Sequence, residues 1–149
     1  MTDIWFYHLE RTSLEQALPD LLEKVASRGW KAYVHGLGED MVTGLDSRLW
    51  TYNPQSFLAH GREDAEFAAR QPILLGTSGK MANDPQVYLS VAPADIPALD
   101  GLERALIVFE GNDSDHLGWA RAQWKRMKGE GLNLAYWKQN DDGRWEKMQ

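Results

Sequence analysis

Residues 4–35 of the chain, IWFYHLERTSLEQALPDLLEKVASRGWKAYVH, decide its fold class. The segment begins with a continuous apolar and aromatic run at 4–9, which is typical of a strand covered on both faces. Apolar residues then recur at helical spacing over 14–25, and 31–35 again has the character of a strand. Because a strand, a helix and a second strand follow one another so closely, the segment predicts a parallel crossover within an α/β sheet.

The ends of this first helix are marked by residues with known capping roles. Ser13 and Gln16 form a plausible capping box before the apolar run, and Gly29 is suited to end the helix. Pro19 lies inside the pattern, where it removes one helical hydrogen bond. We therefore expect either a kink at this position or a later start of the helix.

Further helices and strands are predicted after residue 35, separated by turn-rich segments. A second helix is predicted at 39–50, and a third at 113–130 has acidic residues near its start and basic residues near its end. An Asp-Gly turn near the C-terminus indicates a terminal hairpin or edge strand. We predict one three-layer α/β/α domain over 1–149, with a mostly parallel, Rossmann-like sheet of about five strands. The remaining strand candidates are 72–76, 86–91 and 105–109, and the hairpin segments are 132–138 and 144–148.

Composition excludes several classes of function. The chain has 149 residues, 43% of them apolar, which suits one compact domain with a real core. Sixteen Lys and Arg against 22 Asp and Glu give a net charge of −6, so the molecule as a whole repels polyanions. Sequence-independent coating of DNA is therefore a poor hypothesis. The absence of cysteine excludes disulfides, thiolate zinc sites, iron–sulfur clusters and cysteine nucleophiles.

The sequence shows neither of two features that would direct a protein to or across a membrane. No apolar run approaches the roughly 18 residues of a membrane span, and the first residues lack the basic start of a signal peptide. We expect a cytoplasmic protein without membrane contact.

Two glycine-bearing loops suggest an enzyme as the alternative function. Residues 36–40 follow a strand and open a helix, as a dinucleotide-binding loop does, but Met41 replaces the third glycine. Residues 76–80 superficially resemble a phosphate-cradling loop, although Leu74 and Met81 stand at two required positions. The alternative is thus a small α/β nucleotide- or phosphate-binding enzyme that uses these loops. The four histidines are scattered, and we expect no catalytic residue, cofactor or metal.

The third helix carries a more informative pattern. Four residues share one sector of the helix beside its core stripe, which places an apolar pocket next to cations. Such a surface suits a short acidic peptide that ends in a hydrophobic residue and a carboxylate. Spacing alone favours the simpler interpretation, an amphipathic helix with solvated charges and a core tryptophan. The four residues are Arg121, Trp124, Lys125 and Lys128.

A second candidate surface covers residues 49–60. Trp50 and Phe57 lie where a helix leads into a proline-bearing loop, and an exposed apolar patch of this kind usually marks a partner site. The same residues would also suit a loop packed on the sheet. A third hypothesis is direct single-strand binding by aromatic residues and the basic helix.

At these two places the sequence resembles the chi subunit family of bacterial DNA polymerase III holoenzyme. The resemblance runs through most of the chain and depends on a combination of short motifs. They are Phe6-Tyr7 with Leu9, Trp30-Lys31, Glu39-Asp40, Leu45-Asp46, Leu49-Trp50, Pro54 with Ser56-Phe57 and His60, Ala120-Arg121 with Lys125, Gly131 with Asn133-Leu134, and Trp137-Lys138.

The resemblance implies a non-catalytic α/β accessory protein in DNA replication. The family holds the acidic, Phe-terminated tail of single-stranded-DNA-binding protein and links it to the clamp loader through the psi subunit, so contact with nucleic acid is indirect. By position, Arg121, Trp124, Lys125 and Lys128 match the tail-binding helix, while Leu117 departs from a place that a basic residue can occupy.

The resemblance also assigns the second surface and the C-terminus. Trp50 and Phe57 match aromatics that contact psi or an alternative partner. Residues 139–149 form an extension beyond shorter family members. Trp5 and Trp30 are left to the core.

Overall fold

The computed structural model describes residues 2–52 and 58–149, and a single sheet forms its centre. Every neighbouring pair of strands is parallel except the last, in which β7 and β8 form an antiparallel hairpin. The order across the sheet is β3-β4-β2-β5-β6-β1-β7-β8. The strands are β1 (Asp3–Leu9), β2 (Ala32–His35), β3 (His60–Arg62), β4 (Ile73–Gly76), β5 (Val87–Ser90), β6 (Arg104–Glu110), β7 (Asn133–Gln139) and β8 (Trp145–Lys147).

Three helices complete the layers. These are α1 (Leu14–Ser27), α2 (Glu39–Thr51) and α3 (Ser114–Gly129). Side chains of α1 and α2 belong to the core on one face of the sheet, and those of α3 belong to the core on the other face. The predicted α/β class, three-layer arrangement, mostly parallel sheet and C-terminal hairpin are therefore confirmed.

The predicted number of strands is too low, and the order of the strands across the sheet could not be predicted from residue spacing. Five strands and a hairpin were predicted, but β3 adds an eighth strand beside β4. The first two strands are parallel as predicted, yet β5 and β6 lie between them. The crossover that contains α1 thus skips two positions in the sheet.

Helix α1 begins where the capping box predicts. The Ser13 side chain accepts a hydrogen bond from the backbone N–H of Gln16, and the Gln16 side chain accepts one from the backbone N–H of Ser13. Pro19 lies inside the helix and is buried, so the helix does not start later. Reciprocal capping of this kind satisfies two backbone donors that the first helical turn leaves without partners.

Strand β1 sends alternate side chains to the two faces of the sheet. Ile4 and Phe6 belong to the core beneath α3, whereas Tyr7 and Leu9 belong to the core beneath α1 and α2. Trp5 packs against that second core but is only partly buried, as is Trp30. Both tryptophans thus pack against the core, as predicted, and keep part of their surface exposed.

Helix α3 has well-defined ends. The Asp113 carboxylate accepts hydrogen bonds from the backbone N–H groups of Asp115 and His116, at 3.1 and 3.2 Å. After the helix, Gly131 adopts a positive φ of 76°, a conformation that favours glycine. No helix in residues 2–52 and 58–149 is long and apolar enough to cross a membrane.

Candidate protein-binding surfaces

A pocket of about 350 Å³ lies beside α3, on the face of the sheet that this helix covers. Strands β1, β6 and β7 form its floor with aromatic side chains, and α3 forms one wall. Because β1 pairs with both β6 and β7, the sheet brings rings from three distant parts of the sequence together. The lining residues are Phe6, Phe109, Ala120, Arg121, Trp124, Tyr136 and Gln149.

The half-buried ring of Trp124 forms the wall nearest the helix. Its centroid lies 5.2 Å from that of Phe6 and 5.6 Å from that of Tyr136, and both pairs meet edge to face. Aromatic pairs of this geometry are favourable beyond their buried area. The pocket wall is thus held rigidly enough to receive an apolar side chain.

Arg121 stands at the mouth of this pocket. It is exposed and makes no ion pair or side-chain hydrogen bond with any residue that the structure describes. Lys125 and Lys128 are also exposed on α3 without such partners in the described chain, but they do not line the pocket. Arg126 differs, since it pairs with Glu130 at 3.3 Å. The structure therefore joins Arg121 and Trp124 in one pocket and leaves the two lysines outside its lining.

Tyr136 gives the pocket floor a polar group, and it contacts a histidine that does not itself line the pocket. The Nδ1 atom of His8 lies 2.6 Å from the hydroxyl oxygen of Tyr136. Burial raises the pKa of Tyr136, and the nearby Arg121 opposes that rise. Burial also lowers the pKa of His8, and Lys138 and Arg121 lower it further, against Glu10. The feature of this site that suits a ligand with a carboxylate is the exposed Arg121 beside the aromatic pocket.

The second candidate surface lies at the end of α2. Trp50 is 56% exposed, and its ring centroid is 4.6 Å from that of His60. The His60 side chain is buried, with Nδ1 2.6 Å from the carbonyl oxygen of Leu58. Phe57 lies outside the described residues, so the pairing of Trp50 with Phe57 stays a prediction.

The geometry of loop 76–80 disfavours the nucleotide-handling alternative. The Glu63 carboxylate accepts hydrogen bonds from the backbone N–H groups of Thr77 and Ser78, both at 3.1 Å, and from the Tyr33 hydroxyl at 2.7 Å. A phosphate would need these N–H groups. Partial burial raises the pKa of Glu63, but the hydrogen bonds outweigh this effect and hold the pKa below its usual value. At neutral pH the loop therefore already binds an anion of the chain itself, the Glu63 carboxylate.

The loop at 36–40 is similarly occupied. Glu39 opens α2 and receives the Arg62 guanidinium at 2.5 Å, so an acidic side chain stands near the helix N-terminus that a pyrophosphate would approach. Among the described residues, no group of three or more His, Cys, Asp or Glu side chains could hold a metal ion.

Comparison with known proteins identifies the family. A family model described as DNA polymerase III chi subunit, HolC, matches residues 1–135. The chain belongs to the DNA polymerase III chi subunit family. It is 22% identical to the probable DNA polymerase III subunit chi of Rickettsia prowazekii, over 99% of this chain and 93% of that protein. It is 28% identical to the DNA polymerase III subunit chi of Pseudomonas aeruginosa, over 65% of this chain and 71% of that protein.

Membership of the chi family makes the chain an accessory subunit of DNA polymerase III that serves DNA replication. The matched region includes all of α3 and ends within β7, at Ala135. Tyr136 and Gln149, which line the α3 pocket, and the whole of β8 lie beyond it. One side of the pocket is thus formed by residues outside the family match.

Sequence reasoning missed the floor of the pocket. Neither helical spacing nor the family resemblance assigns Phe6, Phe109 or Tyr136 to a site, although Phe6 belongs to one of the motifs that carry the resemblance. The alternation of β1 and β6 would have placed Phe6 and Phe109 on one face if the strand order had been known. The order itself has no local signal, because Phe6 and Tyr136 are separated by most of the chain.

Proposed function

We propose that this chi-family chain is a non-catalytic adaptor that binds the acidic, Phe-terminated tail of single-stranded-DNA-binding protein. In this proposal the terminal ring enters the α3 pocket between Trp124 and Tyr136. Arg121 pairs with the terminal carboxylate, while Lys125 and Lys128 attract the preceding acidic residues. The observation that carries the proposal is an arginine without an internal partner at the mouth of an aromatic pocket.

Electrostatics favour a protein tail over nucleic acid as the ligand. The chain carries a net charge of −6, so a polyanion is repelled at long range. A short row of three cations on α3 suffices for an acidic peptide, because only a few charges need to be matched. Contact with DNA is then indirect, and the adaptor works in the cytoplasm with the replication proteins.

The test is a calorimetric titration with a peptide of acidic residues that ends in Pro-Phe. We expect micromolar binding, and we expect Arg121→Ala to weaken it by about 1.5–3 kcal/mol, the scale of a charge-assisted contact. Arg126→Ala is the matched control, because this arginine lies on the same helix but pairs with Glu130. Removal of the terminal Phe from the peptide should abolish binding, and salt should weaken it.

The proposed site fails if Arg121→Ala and Lys128→Ala leave the titration curve unchanged. A heat of binding with ATP, GTP or NAD would instead favour the enzyme that uses loops 36–40 and 76–80. Steeply salt-dependent binding of a bare oligonucleotide would favour direct single-strand binding.

We further propose that the α2 surface binds a psi-type subunit, through which the adaptor reaches the clamp loader. Trp50 supports this proposal because a large apolar side chain that is 56% exposed is a frequent interface anchor. Trp50→Ala should abolish binding of a psi subunit in a pull-down and leave the tail affinity unchanged, while Arg121→Ala should do the reverse. Retention of psi by Trp50→Ala would exclude this surface.

A further inference from the structure

A groove of about 950 Å³ lies between α1 and the part of the sheet formed by β1, β7 and β8. It is on the face opposite α3, and its floor is aromatic. The Trp5 and Trp137 ring centroids are 5.3 Å apart, and Trp145 meets Tyr7 edge to face at 4.8 Å. All three tryptophans are only partly buried. We call this surface the aromatic groove.

Two arginines stand at the end of the aromatic groove where α1 finishes. The guanidinium carbon of Arg104 lies 3.8 Å from the centroid of Trp5 and 5.3 Å from that of Trp30. Arg28 covers Trp30 at 5.1 Å. Neither arginine has an ion pair with a residue of the described chain. Burial lowers the pKa of Arg104, and the neighbouring Arg28 lowers it further, against Tyr7 and Asp3. Two like charges thus lie close together, and neither has an ion-pair partner among the described residues.

Two buried donors at this surface also lack partners. The Nε atom of Arg104 and the Nε1 atom of Trp137 are buried and have no hydrogen-bond partner within residues 2–52 and 58–149. Both side chains line the aromatic groove. Buried polar groups are rarely left unpaired, and both of these are donors. Any group that pairs with these donors must be an acceptor, and next to two arginines a carboxylate is the acceptor that charge favours.

The charges along the aromatic groove decide which kind of macromolecule fits. Its α1 wall carries Asp20 and Glu23 beside Lys24 and Arg28, and Arg144 lies near its other end. A nucleic acid would place a phosphate at each nucleotide and would meet these carboxylates, on a chain of net charge −6. A protein segment can place acidic and apolar residues separately. Trp, Tyr and Arg are also the residues most enriched at the energetic centres of protein interfaces.

We propose that the aromatic groove binds a short acidic and apolar peptide segment of a second protein partner, with a carboxylate at Arg104 and apolar side chains over Trp137 and Trp145. This site is separate from the α3 pocket, because the sheet lies between them. It does not depend on the tail-binding proposal.

The experiment is a selection from a random library of short, C-terminally amidated peptides, with the full chain as bait. Amidation removes the free carboxylate that the α3 pocket is proposed to require. We expect enriched peptides that combine Asp or Glu with Leu, Phe or Trp. Binding of a selected peptide should weaken about tenfold in Arg104→Met, the loss of roughly one charge-assisted contact.

Three further measurements keep the result interpretable. Arg28→Met provides a second variant at an exposed position, where misfolding is not a concern, and should also weaken binding. Arg121→Met is the control on the opposite face and should leave binding unchanged. Thermal melting establishes that each variant is folded.

Three outcomes would overturn the proposal. The first is a selection without any enriched pattern. The second is a selected peptide that binds equally well to the wild-type chain and to Arg104→Met and Arg28→Met. The third is oligothymidylate binding that these two variants abolish, since the surface would then serve nucleic acid.

Discussion

The Nε–H of Arg48 on α2 donates a hydrogen bond of 3.1 Å to the backbone carbonyl of Glu15 on α1. Four residues after that carbonyl comes Pro19, which has no N–H to donate to it. Arg48 therefore supplies the partner that the proline withholds, and the contact joins the two helices on one face of the sheet. The Glu15 carbonyl therefore keeps a donor although the proline lies in the helix interior.

Arg48→Met should lower the free energy of unfolding by about 0.5–1 kcal/mol, the value of one hydrogen bond. In a Pro19→Ala background the same change should cost almost nothing, because an alanine at position 19 restores the helical N–H. Urea unfolding of the four proteins in a double-mutant cycle measures this coupling. An equal cost in both backgrounds would show that the two residues are independent.

Glu63→Gln should destabilise the fold by about 1–2 kcal/mol at neutral pH, because the carboxylate accepts several hydrogen bonds from loop 76–80 and Tyr33. The folded-state pKa of Glu63 is lowered. Its contribution is therefore present above the ordinary carboxyl pKa and is lost as pH falls through the folded value. Melting temperatures of both proteins should converge in acid. Asp64→Asn is the control, since Asp64 is 67% exposed and should matter little.

His116 should make the protein less stable as pH falls from 7 to 5. Burial lowers the pKa of His116, against Asp113 and Glu110, so its contribution is present above the unfolded pKa of about 6.5 and is lost as pH falls through the folded value. His116→Phe should flatten this dependence by up to about 1.4 kcal/mol per pH unit, the limit for one proton. Denaturant unfolding at several pH values measures the slope. If the unfolding free energy depends on pH with the same slope in both proteins, the proton taken up on unfolding binds to another group, for example His8.

Trp124→Ala should weaken both folding and tail binding, whereas Trp124→Phe should largely retain both. The alanine variant loses the edge contacts with Phe6 and Tyr136 and should cost about 1–3 kcal/mol of stability for this half-buried ring. Calorimetry with the Phe-terminated peptide, on variants verified by thermal melting, separates the two effects. A phenylalanine variant that is stable but does not bind would mean that the indole itself is recognised.

The sequence predicts well those elements whose cause is local. The capping box at Ser13 and the apolar run of β1 were predicted because adjacent residues determine them. Strand β3 was missed because its three residues lie in a polar stretch and become a strand by pairing with β4. Its partner strand supplies the information that its own sequence lacks.

The candidate sites follow the same division. Helical spacing was sufficient to group Arg121 with Trp124, because both lie on one helix. The opposing wall required knowledge that β1 pairs with β7, which brings Phe6 next to Tyr136 in register. Trp5 was assigned to the core, and it packs against the core beneath α1 and α2. Spacing does not reveal that its ring also lines the aromatic groove.

The two outer strands of the sheet, β3 and β8, are each three residues long. Short edges with charged side chains offer a second copy few unpaired backbone groups to extend the sheet. At β3, Arg62 is further engaged by Glu39 and Asp64. The short edges protect a sheet of eight strands against edge-to-edge aggregation, and the α3 pocket and the aromatic groove both lie on its faces.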